Sequence, residues 1–201
     1  VQTSNDQYKR RGIDLDKKRK ITLGDNIGYF INYQLRVIYW RYFLWNFAGR
    51  AHDLQGSDWL SPFEGNVDLP HRIEFSKARN QYYMLPLFLG ILGLFFQVKK
   101  DQNNALVTGL LFFFTGIALV VFLNSPPNEP RERDYIYVGS FYAFAIWIGL
   151  GVLALSEFFS KFLKSTVARG GLATILGLAI PLIMAAEGWD DHDRSGRWHS
   201  V

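Results

Sequence analysis

Two long uncharged runs on either side of one charged, proline-rich stretch constrain this chain more than any other feature. The runs cover residues 105–123 and 135–155, and the stretch at 126–135 contains three prolines and five charged residues. Each run is long enough to cross a hydrocarbon core of ~30 Å as a helix. Lipid offers no partners for backbone groups, so helices joined by polar loops are the expected structure. The sequence therefore predicts an integral membrane protein.

Two further apolar segments, at 82–98 and 170–186, bring the number of predicted spans to four. One proline and two glycines inside the first segment are acceptable, because neighbouring helices can satisfy freed backbone groups and pack closely on glycine. Small residues in the last segment also favour close helix packing. We predict an all-α integral membrane helical bundle, with a module of four transmembrane helices at 81–188.

A strongly aromatic helix is predicted at 26–49, and six of its aromatic side chains fall within residues 39–47. Tyrosine and tryptophan prefer the level of the lipid headgroups, so a helix lying along the interface is one interpretation. A spanning helix is the alternative, because a basic segment precedes it. Arg36 and Arg41 would then each cost about 2.5–3.5 kcal/mol near the centre of the span. The sequence leaves both interpretations open.

The rest of the chain is polar: a basic segment at 1–25, an external loop at 50–80 and an acidic external tail at 189–201. The basic segment suits anionic lipid headgroups better than nucleic acid, since no aromatic stacking platform accompanies it. The absence of cysteine excludes disulfides, thiolate catalysis and cysteine-ligated metals. The chain begins with valine and has no signal peptide, which predicts a piece of a longer protein or a processed product.

The short loops predict the orientation. Their lysines and arginine should face the cytoplasm by the positive-inside rule; they are Lys99, Lys100, Lys161, Lys164 and Arg169. The 50–80 loop, the 126–135 stretch and the acidic tail then share the opposite face. We predict a multi-pass protein of the bacterial inner membrane, in contact with membrane lipids and with its polar motifs facing the periplasm.

Arg131 and Arg133 are candidates for binding a phosphate or pyrophosphate, because guanidinium donors match phosphate oxygens in pairs. Asp134 lies beside them. The alternative is that both arginines pair with the neighbouring acidic residues, Glu129, Glu132 and Asp134, and keep the loop in water.

Two other polar groups are candidate sites. Asp190, Asp191 and His192 offer ligands for a divalent metal or a general base, although a solvated acidic helix end is the simpler interpretation. Arg50 and Asp53 follow the aromatic helix and suit a sugar, with a plain aromatic belt as the alternative. No cofactor motif is evident, and all four histidines lie outside the predicted spans.

Several stretches resemble one family of large bacterial polytopic membrane proteins, formerly of unknown function. The family is grouped with the protein O-mannosyltransferase-like glycosyltransferases of the GT-C superfold. The resemblance runs from about residue 26 to 197 in the same order, and its most specific parts are 39–50, 130–135, 139–147 and 189–197, the last reading Trp-Asp-Asp-His-Asp-Arg-Ser-Gly-Arg.

The resemblance implies transfer of a sugar from a polyprenyl-phosphate donor. It makes Arg131 and Arg133 the candidates for the donor phosphate. It implies that Asp190, Asp191 and His192 bind the sugar acceptor or a metal, and that Arg50 and Asp53 help to close the site. Such enzymes usually carry their catalytic acidic residue in an earlier external loop, so no catalytic residue is assigned in this chain. The alternative function is a non-catalytic helical subunit that binds other membrane protein subunits in a larger complex.

Overall fold

The structure is a computed structural model, and it describes residues 22–64, 69–126 and 131–193. Residues 1–21 of the predicted basic segment 1–25 and residues 194–201 of the acidic tail therefore lie outside the described residues. The first helix, α1, is continuous but changes type along its length. It comprises Leu23–Tyr29, the π-helical Phe30–Trp40 and Arg41–Phe47. Thr22 caps its first turn through a reciprocal pair of hydrogen bonds with Asp25.

The remaining elements are mostly helices, with one two-stranded antiparallel sheet between α1 and the later helices. In chain order they are β1 Gly49–Arg50, α2 His71–Glu74, β2 Asn80–Gln81, α3 Leu85–Lys100, α4 Gln102–Thr115 with its continuation Ile117–Leu123, the 3-10 turn Asp134–Tyr137, α5 Val138–Phe159 and α6 Thr166–His192. In the sheet, Gly49 lies opposite Gln81 and Arg50 lies opposite Asn80.

Three helices of the described chain are long and apolar enough to cross a membrane. They are α4, α5 with the 3-10 turn before it, and α6. The predicted span at 82–98 is shorter in the structure, because Tyr83 and Met84 adopt left-handed backbone angles and α3 begins only at Leu85. Its 16 residues extend about 24 Å at 1.5 Å per residue. The structure thus confirms a mostly helical chain, in which three helices could cross a membrane.

Helices α3 and α5 pack closely because glycines lie where their backbones meet. A Cβ atom on Gly93 would overlap the carbonyl oxygen of Trp147, and one on Gly151 would overlap that of Leu89. Gly90 lies against the ring of Phe144 in the same way. Small residues at such crossings allow the close helix contact that supports association in lipid.

The aromatic residues of α1 form the centre of the core. Tyr39, Tyr42, Phe43, Trp45 and Phe47 are buried, and the ring of Phe43 packs edge-on against Phe112 of α4 and Phe144 of α5. Trp40, at 40% exposure, stays at the surface. Most of the predicted aromatic belt is therefore packed inside the bundle.

A small polar network joins α3, α4 and α5. The Nε1 of Trp147 donates to Oε1 of Gln97 at 2.7 Å, and Nε2 of Gln97 donates to Oγ1 of Thr108 at 3.4 Å. All three side chains are buried. Buried polar groups are costly without partners, so this network fixes α3, α4 and α5 relative to one another.

Candidate functional site

Glu132 joins three separate parts of the chain at the end of the bundle opposite the lysine-rich turns. Its Oε2 accepts from Nη2 of Arg41 at 2.7 Å and also from the hydroxyl of Tyr42. Its Oε1 accepts from the backbone N–H of Gly56 at 2.6 Å. The carboxylate therefore holds the segment before α5 against both α1 and the external loop. We call Glu132, Arg41, Tyr42 and Gly56 the carboxylate cluster.

Arg41 is anchored on every side. Its Nε donates to the carbonyl of Val37 at 2.9 Å and its Nη1 donates to the carbonyl of Ser57 at 3.3 Å. Its guanidinium carbon lies 4.9 Å from the ring centre of Tyr42 and 5.1 Å from that of Trp45. Charge-assisted hydrogen bonds and stacked rings together fix its position.

The environment of Glu132 favours its charged form. Burial alone would raise the pKa of this carboxyl, but the hydrogen bonds from Tyr42 and Gly56 and the charge of Arg41 outweigh it and lower the pKa below its usual value. Hydrogen bonds to the ionised form act in this direction. The group is therefore an anion at neutral pH and serves as a fixed acceptor.

This lowered pKa predicts a loss of stability in acid. A carboxyl whose pKa is lower in the folded state stabilises the protein fully above its unfolded pKa of about 4.3, and the stabilisation is lost as pH falls through the folded pKa. We expect the difference in unfolding midpoint between the wild type and Glu132→Gln to be constant from pH 7 to 5 and to narrow below about pH 4.3. Thermal unfolding in detergent across this pH series measures it, and a constant difference down to pH 3 would contradict it.

The π-helical segment places two arginines on one side of α1. Arg36 and Arg41 are five residues apart, and the N–H of Arg41 donates to the carbonyl of Arg36 in the five-residue repeat of a π-helix. In an α-helix of 3.6 residues per turn, these side chains would point about 140° apart. Long π-helical segments are rare and often occur at functional sites.

Both arginines line a cleft of about 400 Å³ between α1 and the external loop. Trp40 and Leu44 continue the α1 wall, whereas Asp58 and Trp59 form the opposite wall. The volume lies within the ~300–1,000 Å³ range of small-molecule sites. The cleft thus combines indole surfaces, guanidinium groups and one carboxylate.

The loop wall of this cleft is held by β-type hydrogen bonds. The N–H of Ala51 donates to the carbonyl of Asp58 at 3.1 Å, and the N–H of Leu60 donates to that of Gly49 at 3.0 Å. Arg50 and Trp59 form an isolated antiparallel bridge between these two bonds. Asp58 and Trp59 are therefore presented by ordered backbone.

A second cavity of about 170 Å³ adjoins the cleft, and the two share Val37, Arg41 and Gly56 among their lining residues. Arg131 and Glu132 belong to the lining of the second cavity. Positive charge thus borders both cavities, with Arg41 between them.

Of the predicted phosphate ligands, Arg131 reaches this region. It lines the smaller cavity, and its Nη2 donates to the hydroxyl of Tyr135 at 3.5 Å. Arg133 donates its backbone N–H to the hydroxyl of Tyr42 at 3.4 Å, and Asp134 begins the 3-10 turn. The alternative interpretation paired Glu132 with the neighbouring arginines of the loop. In the structure, Glu132 forms its salt bridge with Arg41 of α1.

Arg50 and Asp53 line neither of these two cavities. The guanidinium of Arg50 lies 4.4 Å from the ring centre of Trp45, and Oδ1 of Asp53 accepts from the hydroxyl of Ser76 at 3.3 Å. Among the described residues, the buried Nε of Arg50 and Nδ1 of His52 have no hydrogen-bond partner.

The group at Asp190, Asp191 and His192 forms the last turn of α6. Nδ1 of His192 pairs with the carbonyl of Gly188 at 2.8 Å. No three metal-ligating side chains come together within residues 22–64, 69–126 and 131–193. The turn lines neither of the two cavities.

Sequence reasoning missed most residues of the cleft. The signal that could have identified two of them was the presence of Arg36 and Arg41 inside a strongly aromatic helix, since charges in such positions usually have a functional or structural partner. Asp58 and Trp59 carry no comparable signal. Comparisons of the chain with protein-family models, with curated proteins and with solved structures found no match.

Proposed function

We propose that this chain is part of a membrane glycosyltransferase that uses a lipid-phosphate-linked sugar on the periplasmic face. The observation that carries the proposal is the cleft between α1 and the external loop, together with the cavity beside it. Indole faces suit the apolar face of a sugar ring, and guanidinium groups suit phosphate oxygens. Arg36, Arg41 and Arg131 supply positive charge around one connected region.

The three arginines have different roles in this proposal. Arg41 is already committed to Glu132 and Ser57, so it shapes the site. Within the described residues Arg36 has no ion pair, and it is exposed along the cleft. Arg36 and Arg131 are therefore the groups available to a phosphate, and Arg133 follows Arg131 two residues later in the chain.

The proposal includes four spans in the bacterial inner membrane. We count α3 as the fourth span because its glycines pack along α5 and its exposed face carries Phe88, Leu92 and Phe95. A 24 Å helix reaches across a ~30 Å core only if the bilayer thins locally or flanking side chains extend to the interface. The two lysines at its end suit such an extension.

Removal of the available arginines should reduce sugar transfer in the full-length protein. We expect Arg131→Ala and Arg36→Ala each to lower transfer from a polyprenyl-phosphate sugar about ten- to hundredfold, the effect of losing one hydrogen-bonded charge. Arg133→Ala should have an effect of the same sign. Transfer of radiolabelled sugar in membranes measures the change, and quantified protein in the membrane fraction controls for insertion.

Arg169→Ala is the matched control, because Arg169 lies at the other end of the bundle, where its Nη2 donates to the hydroxyl of Thr166 at 3.5 Å. Its transfer rate should equal that of the wild type. Unchanged transfer in the Arg131 and Arg36 variants would contradict the phosphate assignment. Co-purification of the protein in fixed stoichiometry with a larger complex, without any transferase activity, would instead favour the non-catalytic subunit.

A further inference from the structure

A second cleft lies at the lysine-rich end of the bundle, between α3 and α5. Its volume is about 290 Å³. The floor is apolar and aromatic, and the rim carries three amines and one carboxylate; the residues are Leu92, Phe95, Phe96, Lys99, Lys100, Ala154, Glu157, Phe158 and Lys161. It shares no residue with the arginine-lined cleft.

We infer that this cleft binds the headgroup and the upper acyl chain of an anionic glycerophospholipid. Lys99, Lys100 and Lys161 against Glu157 leave a net charge of +2 on the rim, which complements a phosphodiester. Basic pockets between membrane helices on the cytoplasmic side bind anionic lipid headgroups in this manner. The inference is independent of the glycosyltransferase proposal.

The amines divide into one that is engaged and two that are available. Nζ of Lys100 pairs with Oε1 of Glu157 at 3.0 Å, and it lies 6.0 Å from the ring centre of Phe96. Lys99 and Lys161 have no ion pair within the described part of the chain. Lys100 therefore fixes the two helices at the rim, and Lys99 and Lys161 are the phosphate ligands.

The apolar floor distinguishes a lipid from a soluble anion. Phe95 and Phe158 are 60% and 53% exposed, and they continue into the apolar outer faces of α3 and α5. This exposed aromatic surface lies beside three amines at one end of α3 and α5. In a bilayer, such a surface contacts the acyl chains and the amines contact the headgroups. A free phosphate would contact only the rim and leave the phenylalanine surface uncovered.

The test uses the full-length protein in detergent, titrated with phosphatidylglycerol or with phosphatidylcholine of the same acyl chains and followed by native mass spectrometry. Phosphatidylglycerol should bind more tightly than phosphatidylcholine. We expect Lys99→Gln with Lys161→Gln to weaken phosphatidylglycerol binding by about fivefold per lysine, hence roughly 25-fold together. Phosphatidylcholine binding should not change.

Lys164→Gln with Arg169→Gln is the matched control, because it removes the same charge from the neighbouring loop and the start of α6 without touching the cleft. It should leave phosphatidylglycerol binding unchanged. Phe158→Ala should weaken binding of the lipid, and glycerol phosphate should not compete with it at equal concentration. The inference is overturned if both double variants lose binding equally, if neither does, or if glycerol phosphate competes as well as the lipid. Single lysine variants, each expected to lose about fivefold, replace the double variant if its unfolding midpoint falls.

Discussion

Glu132→Ala should be among the most destabilising single changes in the polar part of this protein. It leaves the Arg41 guanidinium, the Tyr42 hydroxyl and the Gly56 N–H without their shared acceptor. Breaking a buried ion pair by removing one partner costs about 3–5 kcal/mol. Because the Arg41 and Glu132 side chains keep 12% and 19% exposure, we expect about 3 kcal/mol, the lower end of that range. Tryptophan fluorescence during denaturation in mild detergent measures the free energy of unfolding.

The chain contains a natural control for this experiment. Lys100 and Glu157 form an ion pair of similar length, 3.0 Å, but their side chains are 55% and 53% exposed. Glu157→Ala should therefore change the free energy of unfolding by less than about 1 kcal/mol. Equal losses for the two variants would show that the carboxylate cluster stabilises the protein no more than a surface pair does.

Gly93→Ala should separate α3 from α5. The added methyl group would overlap the carbonyl oxygen of Trp147 and approach the backbone nitrogen of Gly151 at 2.7 Å. Backbone atoms cannot move aside as a flexible side chain can, so the helices must shift. Overpacking typically costs about 1–3 kcal/mol, and we expect at least the upper value here because the obstacle is backbone. The same denaturation measurement applies.

Gly109→Ala on α4 is the matched substitution, since nothing lies within 4 Å of its added methyl group. Alanine is better than glycine inside a helix by about 1 kcal/mol, so this variant should be as stable as the wild type or slightly more stable. If Gly93→Ala behaved like Gly109→Ala, the glycine contact between α3 and α5 would not be as close as described.

The spans were predictable where length and apolar composition decide the structure. The runs at 105–123 and 135–155 lie within helices, because nothing else satisfies so long an apolar backbone in lipid. The start of α3 was predicted three residues early, since two consecutive left-handed residues, Tyr83 and Met84, leave no sequence signature. Because α3 has only 16 residues, it is not among the three helices long enough to cross a membrane, whereas four spans were predicted.

The site was less predictable because it depends on contacts between residues that are far apart in the sequence. Glu132 and Arg41 are 91 residues apart, whereas local reasoning paired Glu132 with its neighbouring arginines. The π-helical repeat that brings Arg36 beside Arg41 does not follow the 3.6-residue period used to interpret a sequence. Arg131, which the sequence offered as a phosphate ligand, borders the smaller cavity at this end.

The length of α6 has a consequence for where the arginine-lined cleft lies relative to the bilayer. Its 27 residues extend about 40 Å, some 10 Å more than the hydrocarbon core. The additional length corresponds to the last turns of α6, which carry Glu187 and Asp190 and follow the apolar part of the helix. The N–H of Gln81 in β2 donates to the carboxylate of Glu187 at 3.4 Å, so the end of α6 supports the small sheet. If α6 crosses the membrane, we expect the loop wall of the cleft, which is built on that sheet, to stand at the level of the lipid phosphates.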